Sequence, residues 1–148
     1  MKLDLFFYEV TSGQQIPCVV DVTQTGQHCV ISVQVGNEDL ANYRGDDFEE
    51  SLQALRSDFE SRGRLLLCNR FRRNAFVTSM SRQMSNGLRC YLVEFRKELD
   101  PAAMVDCLGP ADVEDVVMES DALEFIDRWK SNPPWSARVP WLGRFLKR

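Results

Sequence analysis

The stretch that decides the fold is IPCVVDVTQTGQHCVISVQV, residues 16–35. On both sides of the central QTGQ, residues 24–27, apolar residues recur at every second position. That period is typical of a half-buried β-strand, and a glycine-bearing turn between two such runs indicates a hairpin. The sequence therefore predicts an antiparallel hairpin with one buried face. That face carries Ile16, Cys18, Val20, Val22, Cys29, Ile31, Val33 and Val35.

Segments on either side of the hairpin predict a further strand and a helix. Residues 2–10 contain the apolar run LFFY, which predicts a first strand with both faces buried. Residues 38–45 are mostly polar and predict a linker. A helix should follow, because Asp47 and Glu50 have capping-box spacing and Gly63 supplies a stop.

The predicted helix has two distinct faces. Its apolar residues recur at helical spacing and form one inward stripe. They are Phe48, Leu52, Leu55 and Phe59. The opposite face is predicted to be solvated and mostly acidic, as charged helix faces generally are. It carries Glu49, Glu50, Gln53, Arg56, Ser57 and Glu60.

The second half of the chain is arranged around one long loop. Residues 64–69 and 88–95 predict strands, whereas residues 70–87 between them show no sustained periodicity. A loop of that length is uncommon in a compact domain and is usually functional or disordered. Its apolar residues argue against disorder, so we expect it to fold back on the domain or to be covered by a partner.

Further elements are predicted after this loop. Residues 100–109 predict a compact helix and residues 113–118 an edge strand. Asp121 and Glu124 predict the cap of a last helix that ends before residue 132. Its inward residues would be Leu123, Phe125, Ile126 and Trp129. The cationic, aromatic tail, residues 133–148, is predicted to pack on the domain through Trp135, Trp141 and Phe145.

These elements predict one domain over residues 1–148 with an α+β fold. Its mainly antiparallel sheet would have about five or six strands, packed by two to three helices. The five cysteines lie in or beside apolar runs, which predicts reduced core thiols in a cytoplasmic protein. The N-terminal segment matches neither a secretory leader nor a bilayer span, so we expect no membrane partner.

Charge is distributed in blocks. Residues 64–91 carry arginines and no acidic side chain. The flanking segments are anionic, with eight acidic residues in 37–60 and ten in 98–127. The net charge of −4 argues against general nucleic-acid binding, so no DNA partner is expected.

The sequence contains no recognisable set of catalytic residues. His28 is the only histidine and is predicted to lie at the surface, at the mouth of the hairpin. No serine stands in a nucleophile elbow, and no phosphate-binding or dinucleotide fingerprint occurs. The sequence therefore predicts a protein that is not an enzyme and that needs no cofactor and no metal.

The loop 70–87 carries the residue types expected at a binding surface. Arginine binds carboxylates or phosphates through two parallel hydrogen bonds, and it is enriched at protein interfaces together with aromatic residues and methionine. The loop should therefore bind an acidic protein surface. Alternatively, it would bind a nucleotide or RNA, with phosphates on the arginines and a base stacked on Phe71 or Phe76. A third possibility is that the arginines pair with the flanking acids and only hold the loop down.

Part of this loop resembles a known family. The matching residues are Cys68, Asn69, Arg72, Arg73, Asn74, Ser79, Met80, Arg82, Met84, Gly87 and Tyr91. In this pattern the chain resembles small, uncharacterised bacterial proteins that look like immunity partners of polymorphic toxins. It departs from the pattern at Arg70, where a glycine would be expected, and at Ser85–Asn86–Gly87, where a glycine-rich turn would be expected.

The resemblance implies a small cytoplasmic protein that binds one cognate toxin and occludes its active site. Such a protein needs a patterned surface rather than catalytic residues, with charge complementarity setting the speed and choice of partner. The alternative remains a nucleotide- or RNA-binding regulatory domain that uses the loop 70–87. The predicted partner-binding residues are Arg70, Arg72, Arg73, Asn74, Phe76, Met80, Arg82, Met84, Glu49, Glu50 and Glu60.

Overall fold

The structure, a computed structural model, describes residues 1–132. The predicted packing of the tail through Trp135, Trp141 and Phe145 lies outside the described residues. The strands are β1 (Lys2–Glu9), β2 (Gln14–Thr25), β3 (His28–Gln34), β4 (Ala41–Gly45), β5 (Arg64–Leu66), β6 (Ala75–Phe76), β7 (Arg89–Leu92) and β8 (Val105–Asp106). The helices are α1 (Phe48–Ser61), α2 (Ser79–Ser85) and α3 (Glu119–Ser131), with short 3-10 turns at Asn69–Phe71 and Pro101–Ala103.

Two antiparallel sheets make up the β part of the fold. The larger has five strands in the order β4-β3-β2-β1-β5, and the smaller has three in the order β6-β7-β8. Neighbouring strands in both sheets pair in antiparallel fashion. The predicted α+β class with a mainly antiparallel sheet is therefore confirmed.

The hairpin predicted over residues 16–35 is confirmed. Thr25 pairs with His28, so the turn consists of Gly26 and Gln27. Gly26 has a φ of +61°, a conformation that glycine adopts without steric cost. The predicted inward residues of both strands are buried from Cys18 to Val33. His28 is exposed, as predicted.

Helix α1 packs on the inner face of the larger sheet through its predicted apolar stripe. Phe48, Leu52, Leu55 and Phe59 are all buried. The side chain of Asp47 accepts a hydrogen bond from the Glu50 backbone N–H and so caps the helix. The reciprocal half of the capping box is not made, because the Glu50 carboxylate accepts from the backbone N–H of Asp46 instead. Gly63, with φ +70°, follows the helix as predicted.

Three predictions in the first half of the chain are wrong. Residues 38–45 are not only a linker, because Ala41–Gly45 forms the edge strand β4. Strand β1 buries one face rather than two: Phe7 is fully buried but Phe6 is 49% exposed. The outward face of α1 is not uniformly solvated, because Glu49 and Arg56 are buried. A charged side chain is buried when another element supplies its partner, which a helical wheel does not reveal.

The loop 70–87 does fold back on the domain, as predicted, but it has regular structure of its own. It contains β6 and α2, which are two and seven residues long. Elements of that length are too short to produce a recognisable hydrophobic periodicity in the sequence. Its Phe71 is 2% exposed and belongs to the hydrophobic core.

Beyond β7 the predictions hold only for the last helix. The helix predicted over residues 100–109 is wrong, because only a 3-10 turn forms there before β8. The edge strand predicted over 113–118 is reduced to one bridge between Arg72 and Val116. Helix α3 begins at Glu119 rather than at a cap on Asp121, and its Leu123 is 58% exposed instead of inward.

Two general expectations can be compared with the structure. All five cysteines are buried, as predicted, and none of them forms a disulfide. None of the helices in residues 1–132 has the length and apolar character needed to cross a membrane.

Candidate partner-binding surface

The cationic loop is held against the first turn of α1 by a buried ion pair. Arg70 donates from Nε to Oε2 of Glu49 at 2.8 Å and from Nη2 to Oε1 at 2.6 Å. The two side chains are only 14% and 9% exposed. Burial lowers the pKa of Arg70, but the hydrogen bonds and the charge of Glu49 outweigh it and raise that pKa. Arg70 and Glu49, both predicted to contact a partner, are therefore engaged with each other.

The turn that ends α2 makes this close approach possible. Asn86 has φ +55° and Gly87 has φ +84°, which reverses the chain beside α1. The backbone N–H of Phe48 donates to the carbonyl of Asn86 at 2.9 Å. A Cβ on Gly87 would lie 2.3 Å from the backbone nitrogen of Glu49, so glycine is required there on steric grounds as well.

A second, more exposed ion pair joins α2 to the same helix end. Arg82 donates from Nε to the Asp47 carboxylate, and from Nη2 to Oδ1 of Asp47 at 3.1 Å. Partial burial raises the pKa of Asp47. Hydrogen bonds from Arg82 and from the Glu50 backbone together have a larger, opposite effect, so the net pKa lies below its usual value. One carboxylate thus caps α1 and anchors α2.

Arg56 is a central residue of the site that the sequence did not predict. It is 3% exposed, its guanidinium lies 4.8 Å from the centre of the Phe71 ring, and Nη2 donates to the Val117 carbonyl at 2.9 Å. Its Nε contacts Oε2 of Glu60 at 3.0 Å, and the same oxygen accepts from the Glu119 backbone N–H at 2.9 Å. Burial lowers the pKa of Arg56. The i,i+4 spacing of Arg56 and Glu60 was the one feature of the sequence that could have indicated their pairing.

The arginines 72 and 73 are held less firmly. Arg72 lies 3.7 Å from the Asp115 carboxylate, outside hydrogen-bond distance, and its buried Nε has no hydrogen-bond partner in the described part of the chain. The Arg73 side chain is exposed and has no ion-pair partner among residues 1–132. Asn74 is structural, because its Nδ2 donates to the Val93 carbonyl at 3.1 Å.

The two methionines of the loop lie on the exposed face of α2. Met80 is 69% exposed and Met84 is 74% exposed, and their i,i+4 spacing places them one turn apart on the same side. Ser81 lies on an adjacent side of α2 and is 1% exposed. Thr78 and Ser81 form a capping box at the start of α2, with 3.0 Å hydrogen bonds in both directions.

A cleft of about 280 Å³ lies between α1, α2, β6 and α3. Four of the predicted partner-binding residues line it: Glu49, Arg70, Phe76 and Arg82. The Phe76 ring packs against Trp129 at 5.3 Å, and Nζ of Lys130 lies 5.2 Å from the Phe76 ring centre. Leu123 adds an exposed apolar side chain to the rim. The cleft combines apolar walls with charges of both signs.

The predicted partner-binding residues therefore fall into two groups. Those in intramolecular pairs or contacts are Arg70, Glu49, Arg82, Glu60, Asn74, Phe76 and Arg72. Those whose side chains remain mostly at the surface are Arg73, Met80, Met84 and Glu50. The prediction that Phe71 could stack on a base is wrong, because that ring is buried in the core.

No protein-family model matches the chain. No curated protein matches it either. Within residues 1–132, no three histidine, cysteine or acidic side chains are placed so that they could hold a metal ion.

Proposed function

We propose that this chain is a small immunity-type protein that binds one cognate toxin and neutralises it by covering the active site of that toxin. The observation that carries the proposal is the exposed pair Met80 and Met84 on a helix that the rest of the domain holds in place. Methionine and arginine are enriched at protein interfaces, and methionine adapts its shape to a partner.

Helix α2 is held in a fixed position, which supports its use as a binding surface. Its start is closed by the Thr78–Ser81 capping box, and Arg82 ties it to Asp47. A surface that is already ordered loses less conformational entropy when it binds, which strengthens the complex. A cleft lined by Thr78 and Arg82 lies on a different side of α2 and adds a second surface, with Leu123 at its rim.

Outside the cationic residues 64–91 the domain is acidic, and this acidic part supports a partner that also has a basic surface. All 22 acidic side chains lie in residues 1–132, together with 14 of the 18 basic ones. An acidic protein associates fastest with a basic surface, because long-range attraction guides the encounter. A toxin whose active site binds nucleic acid or nucleotides would present such a surface.

The proposal is tested with a variant of the α2 surface. The tagged chain captures its partner from lysate of the source organism, with and without nuclease, and the partner is then co-expressed with the wild type or with Met80→Asp/Met84→Asp. Removing two anchor residues should weaken the complex by about 100-fold or more and abolish protection of the cell.

The control is Leu40→Asp, which makes the same kind of change at a residue that is 55% exposed on the β3–β4 connection. It should bind and protect like the wild type. Equal protection by both variants would show that the α2 surface is not the interface, and failure to capture any protein partner would contradict the toxin-binding function itself.

The nucleotide- or RNA-binding alternative has less support from the geometry. Arg70 and Arg82, the arginines best placed to line the cleft, already bind carboxylates. Arg73 is the loop arginine whose side chain remains available for a phosphate. Binding of RNA that falls steeply with salt and is lost in Arg73→Ala would favour this alternative.

A further inference from the structure

Strand β1 has an open edge along its first half. It is eight residues long and pairs with β2 along its whole length, but its pairing with β5 covers only Phe7–Glu9. One further hydrogen bond runs from the Leu67 N–H to the Phe6 carbonyl at 2.9 Å. Beyond it the chain leaves the sheet into the 3-10 turn at Asn69–Phe71.

The register identifies which backbone groups face this open edge. The Val22 N–H donates to the Met1 carbonyl, so odd-numbered residues of β1 bond to β2 and even-numbered ones face the β5 side. Lys2 and Asp4 therefore direct their backbone N–H and C=O groups to the side that β5 does not reach. Neither residue has a backbone partner on that side among residues 1–132.

An apolar cavity of about 490 Å³ opens beside the same edge. Its β1 wall includes Leu3 and Leu5, and its opposite wall includes Leu88, Leu108 and Pro110. In a β-strand successive side chains point to opposite faces, so the side chains of Leu3 and Leu5 lie on the face that the cavity adjoins. A strand laid along this edge would direct every second side chain toward the cavity.

The charges at the cavity indicate which residues of an added strand would flank the residue that enters the cavity. Its lining includes two ionisable side chains, Asp4 and Asp106, and both are carboxylates. The ammonium group of Met1 is 3.3 Å from Asp21, and Arg89 is 3.9 Å from Asp106, so these two cations have carboxylate neighbours. Lys2 is the exposed cation on the edge itself. Opposite charges on adjacent strands stabilise their pairing, which favours basic residues next to Asp4.

We propose that the open edge of β1 is a strand-addition site for an extended segment of a partner protein, in which an apolar residue enters the cavity and basic residues flank it. The segment hydrogen-bonds to the backbone of Lys2 and Asp4, which supplies affinity, while the cavity supplies selectivity. Only the identity of the partner rests on the proposed function: the toxin would contribute the segment. The site itself follows from the register and the cavity.

The test uses the full chain, labelled with 15N, and the blocked heptapeptide acetyl-Lys-Val-Lys-Leu-Lys-Val-Lys-amide. We expect saturable shifts and slowed hydrogen exchange at the Lys2 and Asp4 amides. A peptide N-methylated at alternate residues should not bind, because it lacks the donors. A peptide with Glu for Lys should bind more weakly.

Two variants at one position separate backbone pairing from charge. Asp4→Pro removes the N–H at the edge, and the loss of one hydrogen bond should weaken binding by about tenfold. Asp4→Asn keeps the N–H and should weaken binding only a few-fold. Circular dichroism checks that both variants are folded. Equal binding by Asp4→Pro and Asp4→Asn would overturn the backbone role.

Other results would overturn the proposal outright. One is an absence of shifts at Lys2 and Asp4 at millimolar peptide; another is a homodimer in sedimentation experiments that protects the same amides, because a second copy would then be the occupant. None of these measurements needs the toxin. A toxin that binds the chain without protecting the β1 edge would refute the toxin as the source of the segment and leave the proposed function intact.

Discussion

Two arginine–carboxylate pairs join the cationic loop to the start of α1, and they differ mainly in their burial. Arg70 and Glu49 are 14% and 9% exposed, whereas Arg82 and Asp47 are 45% and 18% exposed. Both pairs involve two hydrogen bonds. This difference in burial predicts different contributions to stability. A buried charge that loses its partner lowers the free energy of unfolding strongly, whereas a hydrated charge does not.

The largest effect is expected from breaking the buried pair. Arg70→Ala leaves the Glu49 carboxylate buried without its cation, and the free energy of unfolding should fall by about 3–5 kcal/mol. Urea denaturation measures it. The double variant Arg70→Met/Glu49→Leu removes both charges and should recover most of that loss, because an apolar pair of similar volume needs no desolvation. A loss of under 1 kcal/mol in Arg70→Ala would show that the pair is effectively hydrated.

A comparably large effect is expected at the turn that brings the pair together. Gly87→Ala places a Cβ against the Glu49 backbone at a positive φ, and it should destabilise the protein by roughly 3 kcal/mol. Gly36 is the matched control, because it also has a positive φ but nothing lies within 4 Å of its added Cβ. Gly36→Ala should cost about 1 kcal/mol. Equal thermal denaturation of the two variants would argue against a close approach at Gly87.

Breaking the exposed pair should have a smaller effect that depends on pH. Arg82→Ala should lower the free energy of unfolding by at most about 1 kcal/mol at neutral pH. The pKa of Asp47 is depressed in the folded state, so its contribution is present above the ordinary value of 3.8 and is lost as the pH falls through the lower folded value. The difference between wild type and variant should therefore shrink on acidification below pH 3.8. A difference that grows in acid would contradict this assignment.

The smallest effect on stability is expected at the exposed methionines. Met80→Ser and Met84→Ser should each change the free energy of unfolding by less than about 0.5 kcal/mol, because both side chains are mostly in water already. This result would sharpen the contrast with Arg70, since these residues would then be free of a structural role. A loss above 1 kcal/mol from either variant would mean that the methionines pack against the domain.

Local patterns predicted the fold, and distant pairings defined the site. The hairpin over residues 16–35 and the apolar stripe of α1 were predictable, because each depends on periodicity within one element. The pair of Arg70 and Glu49 was not, because 21 residues separate its members and no local rule selects one acid among many. The pairing of loop arginines with flanking acids was one of the predicted possibilities, but the specific partners required the structure.

Burial also explains why some residues that were predicted to contact a partner have structural roles instead. The sequence assigned Glu49 to a solvated helix face by its position on the helical wheel, but the turn at Gly87 and the side chain of Arg70 cover it. Phe71 was predicted at a binding loop, yet Arg56 stacks on it inside the core. By contrast, Met80 and Met84 are exposed on α2, whereas Ser81 of the same helix is buried.

The hydrogen bond from Phe48 to Asn86 has a consequence for folding and local opening. The first turn of a helix has backbone N–H groups without partners inside the helix, and here a carbonyl 38 positions further along the chain accepts one of them. The start of α1 is therefore complete only after α2 has formed and docked. These two segments should open as one cooperative unit, so their slowly exchanging amides should share a single opening free energy.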